Sequence, residues 1–507
     1  MKIESAMTEC SDRETLLAEA RLSAPPADKM VRYHDLPGLA REKRQFQEFI
    51  SVDLAHVVML TEEGIIERSV GSAILKQLTA LRDTRAEDFS VDVNKGSFLL
   101  QVESHLHATI GEDCAGRMHI GRSRIDQGAT VRRLYERNRL LDVLDRLVAL
   151  RGSIAAKAAE HTRTIMPGYT HMQQAQPWVF GHYLLSFSTR LRDSFDRLTE
   201  AYSRLNRNPL GAVGLAGTSW PLNRQRTTEL LAFDAVLENS KLGREAWYAA
   251  EVAGALSFVM ADLNDLATDL HIWSSTEFGL VECHDSYCGT SSIFPQKKNP
   301  TGLETIKKAA GESVTWLATA LATFRAEGTG DQAVRELPLL HEALEATGGM
   351  LDLLAGIIET LIVHESRMSA ALAGSWCTAS NLADVIVRTS GMSFRHVHHI
   401  VARLVRNSIN DGLDPSQLTN KHLEKAAMET TGQTVLLGES ELRAALDPHR
   451  FVQTRITMGG VGPSEVDRLL AEELLENQES EEWLRRARVS VDKARSNLDD
   501  SIRTILM

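Results

Sequence analysis

Residues 287–300 read YCGTSSIFPQKKNP, placing Gly289, Thr290, Ser291 and Ser292 a few positions before Lys297, Lys298 and Asn299. Small, flexible residues beside cations make a loop that can hold an anion and stabilise negative charge as it develops. Asn299-Pro300 reads as the N-cap and first turn of a following helix. A flexible linker ahead of a capped helix fits the same residues, and the motif alone leaves the two readings level. A second segment, MPGYTHMQQAQP at 166–177, gathers Thr170, His171, Gln173 and Gln176 in a turn closed by Pro167-Gly168 and Pro177. Imidazole titrates nearest neutrality, so His171 is suited to move a proton. A hydrogen-bonded structural histidine is the commoner fate, and the glutamines can equally hold the loop together. The third segment, GRMHIGRSRIDQG at 116–128, clusters Arg122, Ser123 and Arg124 beside Gly121. Guanidinium forks next to a hydroxyl suit a carboxylate or phosphate, although a solvated helix start reads the same way.

A metal centre is not expected. Cys283 and Cys288 flank His284 and Asp285, but no second pair stands at ligand spacing. The five cysteines are odd in number and scattered, which suits a reducing compartment better than a disulfide framework.

Such loops need rigid elements to hold them, and the periodicity supplies helices. Leu140, Leu144, Leu147 and Ile154 mark one, and Leu184, Phe187, Leu191, Leu198 and Leu205 mark another. Val252, Leu256, Val259, Leu263, Leu266, Leu270 and Trp273 mark a third, apolar on more than one face and therefore buried among neighbours. Two more are expected over Gly302–Arg325 and Leu339–Val363. Alternation of period two is nearly absent, so the fold class is all-α: a central long-helix bundle over 121–375, with smaller helical domains at 1–120 and 376–507. Composition agrees, with 43% hydrophobic and 24% charged residues, and with 13 Pro and 33 Gly leaving little linker in 507 residues. A net charge of −12 argues against general binding to nucleic acid or anionic lipid. The most apolar tract, 246–261, is interrupted by Glu251 and is too short for a bilayer. The start carries no secretory pattern, so a cytoplasmic location is expected.

In this order on a long-helix bundle, the segments resemble the argininosuccinate lyase branch of the fumarase/aspartase superfamily. GTSSIFPQKKNP resembles its signature loop GSSIMPQKKNP, GRSRIDQ its GRSRNDQ, and MPGYTHMQQAQP its PGYTHLQRAQP. The likeness continues through PLGAVGLAGTSWPLNR (209–224), LLAFDAVLENS (230–240), IWSSTEFGLVE (272–282), FRHVHHIVARLV (394–405) and TMGGVGP (457–463). It implies a three-domain all-α subunit and a homotetramer whose active sites draw loops from three subunits. It also implies loss of a Cβ proton and an amine from a succinyl group, giving fumarate without a cofactor. Carried across, Ser291 becomes the general base, with Lys297 and Asn299 on the carboxylate that gains charge. Ser123 and Thr170 would hydrogen-bond substrate, together with Gln173 and Ser292 in the same loops. Arg124, with Arg122, would bind carboxylate, and His171 would serve proton transfer.

The departures fall on the amine side. The branch's asparagine in GRSRNDQ is Ile125, its SDRD-type stretch is Glu245-Ala246-Trp247-Tyr248, its Tyr/Gln/Lys run is TFRAEGTGDQAVREL at 323–337, and WGGRF is absent. Trp247, Tyr248, Arg325 and Arg335 are expected to offer an apolar wall and cations for an added carboxylate. These changes point to an N-substituted aspartate such as ethylenediamine-N,N′-disuccinate, with argininosuccinate as the alternative substrate and a non-catalytic crystallin-like role behind both.

Overall fold

The computed structural model describes residues 26–324 and 338–507. Helix α1 (Phe46–Glu62) is enclosed over most of its surface, with Phe46, Ile50, Leu54, Val58 and Leu60 buried. It packs with α2 (Arg68–Arg82) and α3 (Phe98–Ile110) around a first core of leucine, valine and phenylalanine.

Helix α4 (Arg124–Glu160) opens on a capping box: the Ser123 hydroxyl accepts from the Ile125 N–H at 3.1 Å, and the Asp126 carboxylate accepts from the Ser123 N–H at 2.8 Å. Its 37 residues span about 55 Å at 1.5 Å per residue. A hairpin of β1 (Ile165–Thr170) and β2 (Gln173–Val179) reverses the chain into α5 (Phe180–Leu205), which returns antiparallel to α4. Arg133 near the start of α4 donates to the carbonyls of Arg204 and Leu205 at the end of α5, both at 2.9 Å. Helix α6 (Trp247–Trp273) runs back again, starting beside α4 at Glu136 and ending with the Trp273 ring tilted against Tyr183, centroids 4.6 Å apart.

The joint after α6 holds β3 (Val281–Glu282), β4 (Gly289–Thr290) and β5 (Lys298–Asn299), and leads to α7 (Thr301–Ser313), α8 (Trp316–Phe324) and α9 (Pro338–Glu359). Leu144, Leu184, Leu191, Leu256, Leu263, Leu303, Leu344 and Leu354 bring these helices into one bundle core. The single helix expected over 302–325 is therefore two. The Ser257 hydroxyl takes the Ser313 carbonyl at 2.8 Å, removing a helical acceptor at the break. The helix expected to reach Val363 stops at Glu359, because β6 (Ile362–Val363) pairs antiparallel with β3.

Helix α10 (Glu365–Leu372) backs the hairpin. A separate core then gathers α11 (Ala379–Ser390), α12 (Phe394–Asn410), α13 (Asn420–Thr431) and α14 (Glu439–Leu446). The last helix, α15 (Pro463–Leu506), leaves that core and lies along α4 and α5, placing Leu484 in the bundle and Leu498, Ile502 and Ile505 in the first core. Buried Arg151 fastens it, meeting Glu473 at 2.7 Å and donating to the Ser480 hydroxyl at 2.9 Å, while Ser188 donates to Glu473 at 2.6 Å.

Candidate active site

Between β4 and β5 the chain makes a small antiparallel stem, Gly289 opposite Asn299 and Thr290 opposite Lys298, whose apex is 291–297. Asn299 therefore sits in a strand pair, and the N-cap of α7 is Pro300, which makes no side-chain cap bond. At the apex the Ser291 oxygen accepts from the backbone N–H groups of Ile293 (3.2 Å) and Phe294 (2.9 Å). Two donors on one hydroxyl oxygen favour its ionised form. Lys298 is neutralised by Glu282 (2.7 Å) and Asp285 (2.6 Å), and its hydrogen bonds hold both carboxyls below their ordinary range. Lys297 has no carboxylate partner among the described residues, so of the two lysines it is the one with charge to offer. Ser292 is exposed on the same apex. Lys297, Lys298 and Asn299 line a cavity of about 930 Å³ that also reaches His271, Glu304 and Lys307.

The segment expected as a turn is the β1–β2 hairpin, with Pro167 opposite Pro177 and a register shift at Gly168/Tyr169. Its tip is a two-residue reversal in which His171 (φ 54°) and Met172 (φ 60°) both take left-handed backbone, the requirement of a tight primed hairpin turn. Neither is glycine, so the tip stores strain of the order of 1 kcal/mol or more per residue. Thr170, His171 and Gln173 are exposed there, whereas Gln174 and Gln176 donate to the Ala371 carbonyl (3.4 Å) and the Ser380 hydroxyl (3.2 Å) and hold the hairpin in place.

At the start of α4 the two arginines part. Arg122 is buried in an ion pair with Asp53 at 2.5 Å, beside Gln127, which donates to the same carboxylate at 2.6 Å. It therefore holds the fold and is not placed to meet a ligand. Arg124 is exposed, and with Ile125, Arg41 and Arg132 it lines a cavity of about 200 Å³ that Asp35 and Glu42 also border. The Ser123 hydroxyl donates to the Val213 carbonyl at 3.0 Å, and Asp126 accepts the N–H groups of Gly211 (2.8 Å) and Val213 (2.9 Å). Asp126 was not singled out from sequence, although its spacing from Ser123 is that of a capping box. Of the expected wall for the amine half, Trp247 is 42% exposed, but Tyr248 is buried. The Tyr248 hydroxyl donates to Glu136 at 2.7 Å and its ring lies 4.0 Å beneath Arg133, so it faces the bundle and not a ligand. Arg325 and Arg335 lie outside the described residues.

One subunit brings two of the three segments to one end of the bundle. Tyr169 at the hairpin lies 5.6 Å from Phe278, which precedes the Ser291 loop. Ser123 and Arg124 stand at the opposite end of α4, about 55 Å away along the helix axis.

A helical scaffold that presents a polarised serine and an unneutralised lysine is suited to pull a weakly acidic proton and hold the resulting charge, as an elimination enzyme must. Residues 37–314 match the family model described as lyase, and 376–453 that of argininosuccinate lyase C-terminal. The argininosuccinate lyase of Methanosarcina acetivorans is 35% identical over 487 residues, covering 94% of this chain and 96% of its own. Argininosuccinate lyase 1 of Shouchella clausii is also 35% identical, over 89% of this chain and 91% of its own. EDDS lyase in complex with formate matches with a TM-score of 0.86 at 33% identity, covering 96% of this chain and 97% of that one. Class II fumarase from Schistosoma mansoni, 15% identical with a TM-score of 0.65, shares the fold. The chain belongs to the argininosuccinate lyase branch of the fumarase/aspartase superfamily, and is a carbon–nitrogen lyase that forms fumarate.

Proposed function

We propose that this lyase eliminates an aliphatic amine, and not a guanidinium, from an N-substituted aspartate such as an aminopolycarboxylate. The Ser291 alkoxide takes the Cβ proton, the electron pair forms the C=C bond, and the C–N bond breaks with its pair leaving on nitrogen, which is then protonated. Lys297 and Asn299 stabilise the doubly charged carboxylate that precedes C–N cleavage. Ser123, Thr170, Gln173 and Ser292 hydrogen-bond substrate, Arg124 binds a carboxylate, and His171 serves proton transfer. The observation that carries the substrate choice is Ile125 in the cavity beside Arg124 and Arg132, an apolar side chain where the branch has an amide. The reading of argininosuccinate as substrate is favoured by a different observation, the 35% identity to argininosuccinate lyases over most of the chain. Incubation with fumarate and a panel of amines separates them. Fumarate absorbance should fall with diamines and carboxylated amines that lack a guanidinium, and hardly with arginine; consumption with arginine alone would overturn the proposal.

The 55 Å separation along α4 supports a site completed by other copies of the chain, in a homotetramer whose sites draw on three subunits. Trp247 and Phe258 on α6, Val314 in the α7–α8 turn and Leu317 and Leu321 on α8 are exposed apolar side chains suited to be covered by a second copy. Among the described residues no helix is long and apolar enough to cross a membrane. We place the enzyme in the cytoplasm, and divide its chain near residues 120 and 375.

A further inference from the structure

We propose that Tyr287 and Gly356 form a lock that sets the position of the Ser291 loop, with Gly356 as a positioning residue for the elimination. This rests on the reading of Ser291 as the base. Tyr287 lies four residues before Ser291 and two before the β4–β5 stem. Its ring sits against Gly356 on α9, where an added Cβ would overlap the hydroxyl and lie 2.7 Å from Cζ and 3.3 Å from Cε1. Its carbonyl lies close to Gly302 on α7, where a Cβ would lie 3.2 Å from that oxygen and 3.0 Å from Ile357 Cδ1. Both glycines lie within helices and neither has positive φ, so backbone conformation does not require them. Alanine would favour each helix more. What glycine supplies is room for Tyr287.

The ring cannot give way cheaply, because it packs against the bundle core and has only two torsions with which to move. A Cβ at 356 therefore pushes the stem and not merely the tip of a side chain. At the far side of the loop Lys298 is tied to Glu282 and Asp285. The loop is thus fixed at both feet, and 291–297 is the part left to adjust to substrate.

The test compares tetrameric variants by kcat, KM and amide hydrogen exchange. Gly356→Ala should lower kcat by roughly tenfold to a hundredfold, the loss expected of a displacement near 1 Å, with KM within about threefold of wild type. Exchange should rise over 287–299 and not along α9. Gly349→Ala on the same helix, where a Cβ meets nothing within 4 Å, should leave kcat unchanged. Trimming the ring in Gly356→Ala/Tyr287→Leu should recover part of the lost kcat. Wild-type kcat in Gly356→Ala while Ser291→Ala is inactive would overturn the lock alone, and wild-type kcat in Ser291→Ala would overturn the reading beneath it. A loss in Gly356→Ala that trimming Tyr287 leaves untouched would also overturn the lock. If Gly356→Ala does not assemble, Tyr287→Leu alone decides: exchange raised only over 287–299 with reduced kcat supports the lock, and unchanged exchange and kcat overturn it.

Discussion

As the proposed base Ser291 would be weak as a free hydroxyl, and the N–H groups of Ile293 and Phe294 that its oxygen accepts favour the ionised form. Ser291→Ala should therefore lower kcat by at least roughly a hundredfold while substrate still binds, and Ser292→Ala should cost less. Equal turnover for Ser291→Ala and wild type would move the base elsewhere, with His171 next in line. The residue types of this loop were legible in sequence; the accepted hydrogen bonds were not, because they depend on how 291–294 turns. Arg122 and Arg124 show the same limit more sharply. They read as equals two positions apart, yet one enters the buried pair with Asp53 while the other faces outward. Arg122→Ala strands the Asp53 carboxylate in the interior and should destabilise the fold by about 3–5 kcal/mol. Arg124→Ala should leave the melting temperature nearly unchanged and raise KM. The reverse pattern in a paired melting and kinetic series would exchange their roles.

Helices were legible because burial on one or more faces writes itself into leucine spacing over many turns, as in α4, α5 and α6. Short strands were not, since β3 to β6 have two residues each and no room for alternation. The hairpin was hidden for another reason: its tip is made of His171 and Met172 in left-handed backbone, where sequence rules look for Asn-Gly. The break at Val314 depends on Ser257, a contact across 56 positions that no local window contains. A buried element also shapes the acid limit of the protein. His56 on α1 is fully enclosed and donates from Nε2 to the Ile120 carbonyl at 2.9 Å, steadying the approach to Gly121 and Arg122. Burial first, and the nearby Arg122 charge second, push its pKa well below the ordinary 6.5. The unfolded chain then binds a proton on this imidazole at a pH where the folded chain does not, so stability is full above about 6.5 and falls as pH drops below it. His56→Gln should flatten the decline in melting temperature between about pH 7 and 5. An unchanged slope would assign the acid sensitivity to other groups.

At the scale of the whole molecule, the resemblance implies a three-segment site, while α4 keeps Ser123 and Arg124 about 55 Å from the hairpin and the Ser291 loop of the same chain, as the proposed sharing of sites between subunits requires. Two variants that are both impaired at low substrate should therefore repair each other. Co-refolded Ser291→Ala and Arg124→Ala chains should regain up to about a quarter of wild-type activity, the share of sites that receive both intact segments when copies mix at random. Activity no higher than the sum of the two variants would place the site within one subunit. The identity of the amine half is written in fewer residues. Ile125 is visible in sequence, but of the expected wall Tyr248 turned inward to Glu136. Each buried polar partner that argininosuccinate would miss costs on the order of 1–3 kcal/mol, so two such losses reduce its turnover by about a hundredfold. The most direct measurement is kcat/KM for fumarate release, followed by absorbance, from ethylenediamine-N,N′-disuccinate and from argininosuccinate under the same conditions. The aminopolycarboxylate should be preferred by at least about a hundredfold. A value for argininosuccinate equal to or above it would contradict the account and make the enzyme an argininosuccinate lyase in substrate as well as in descent.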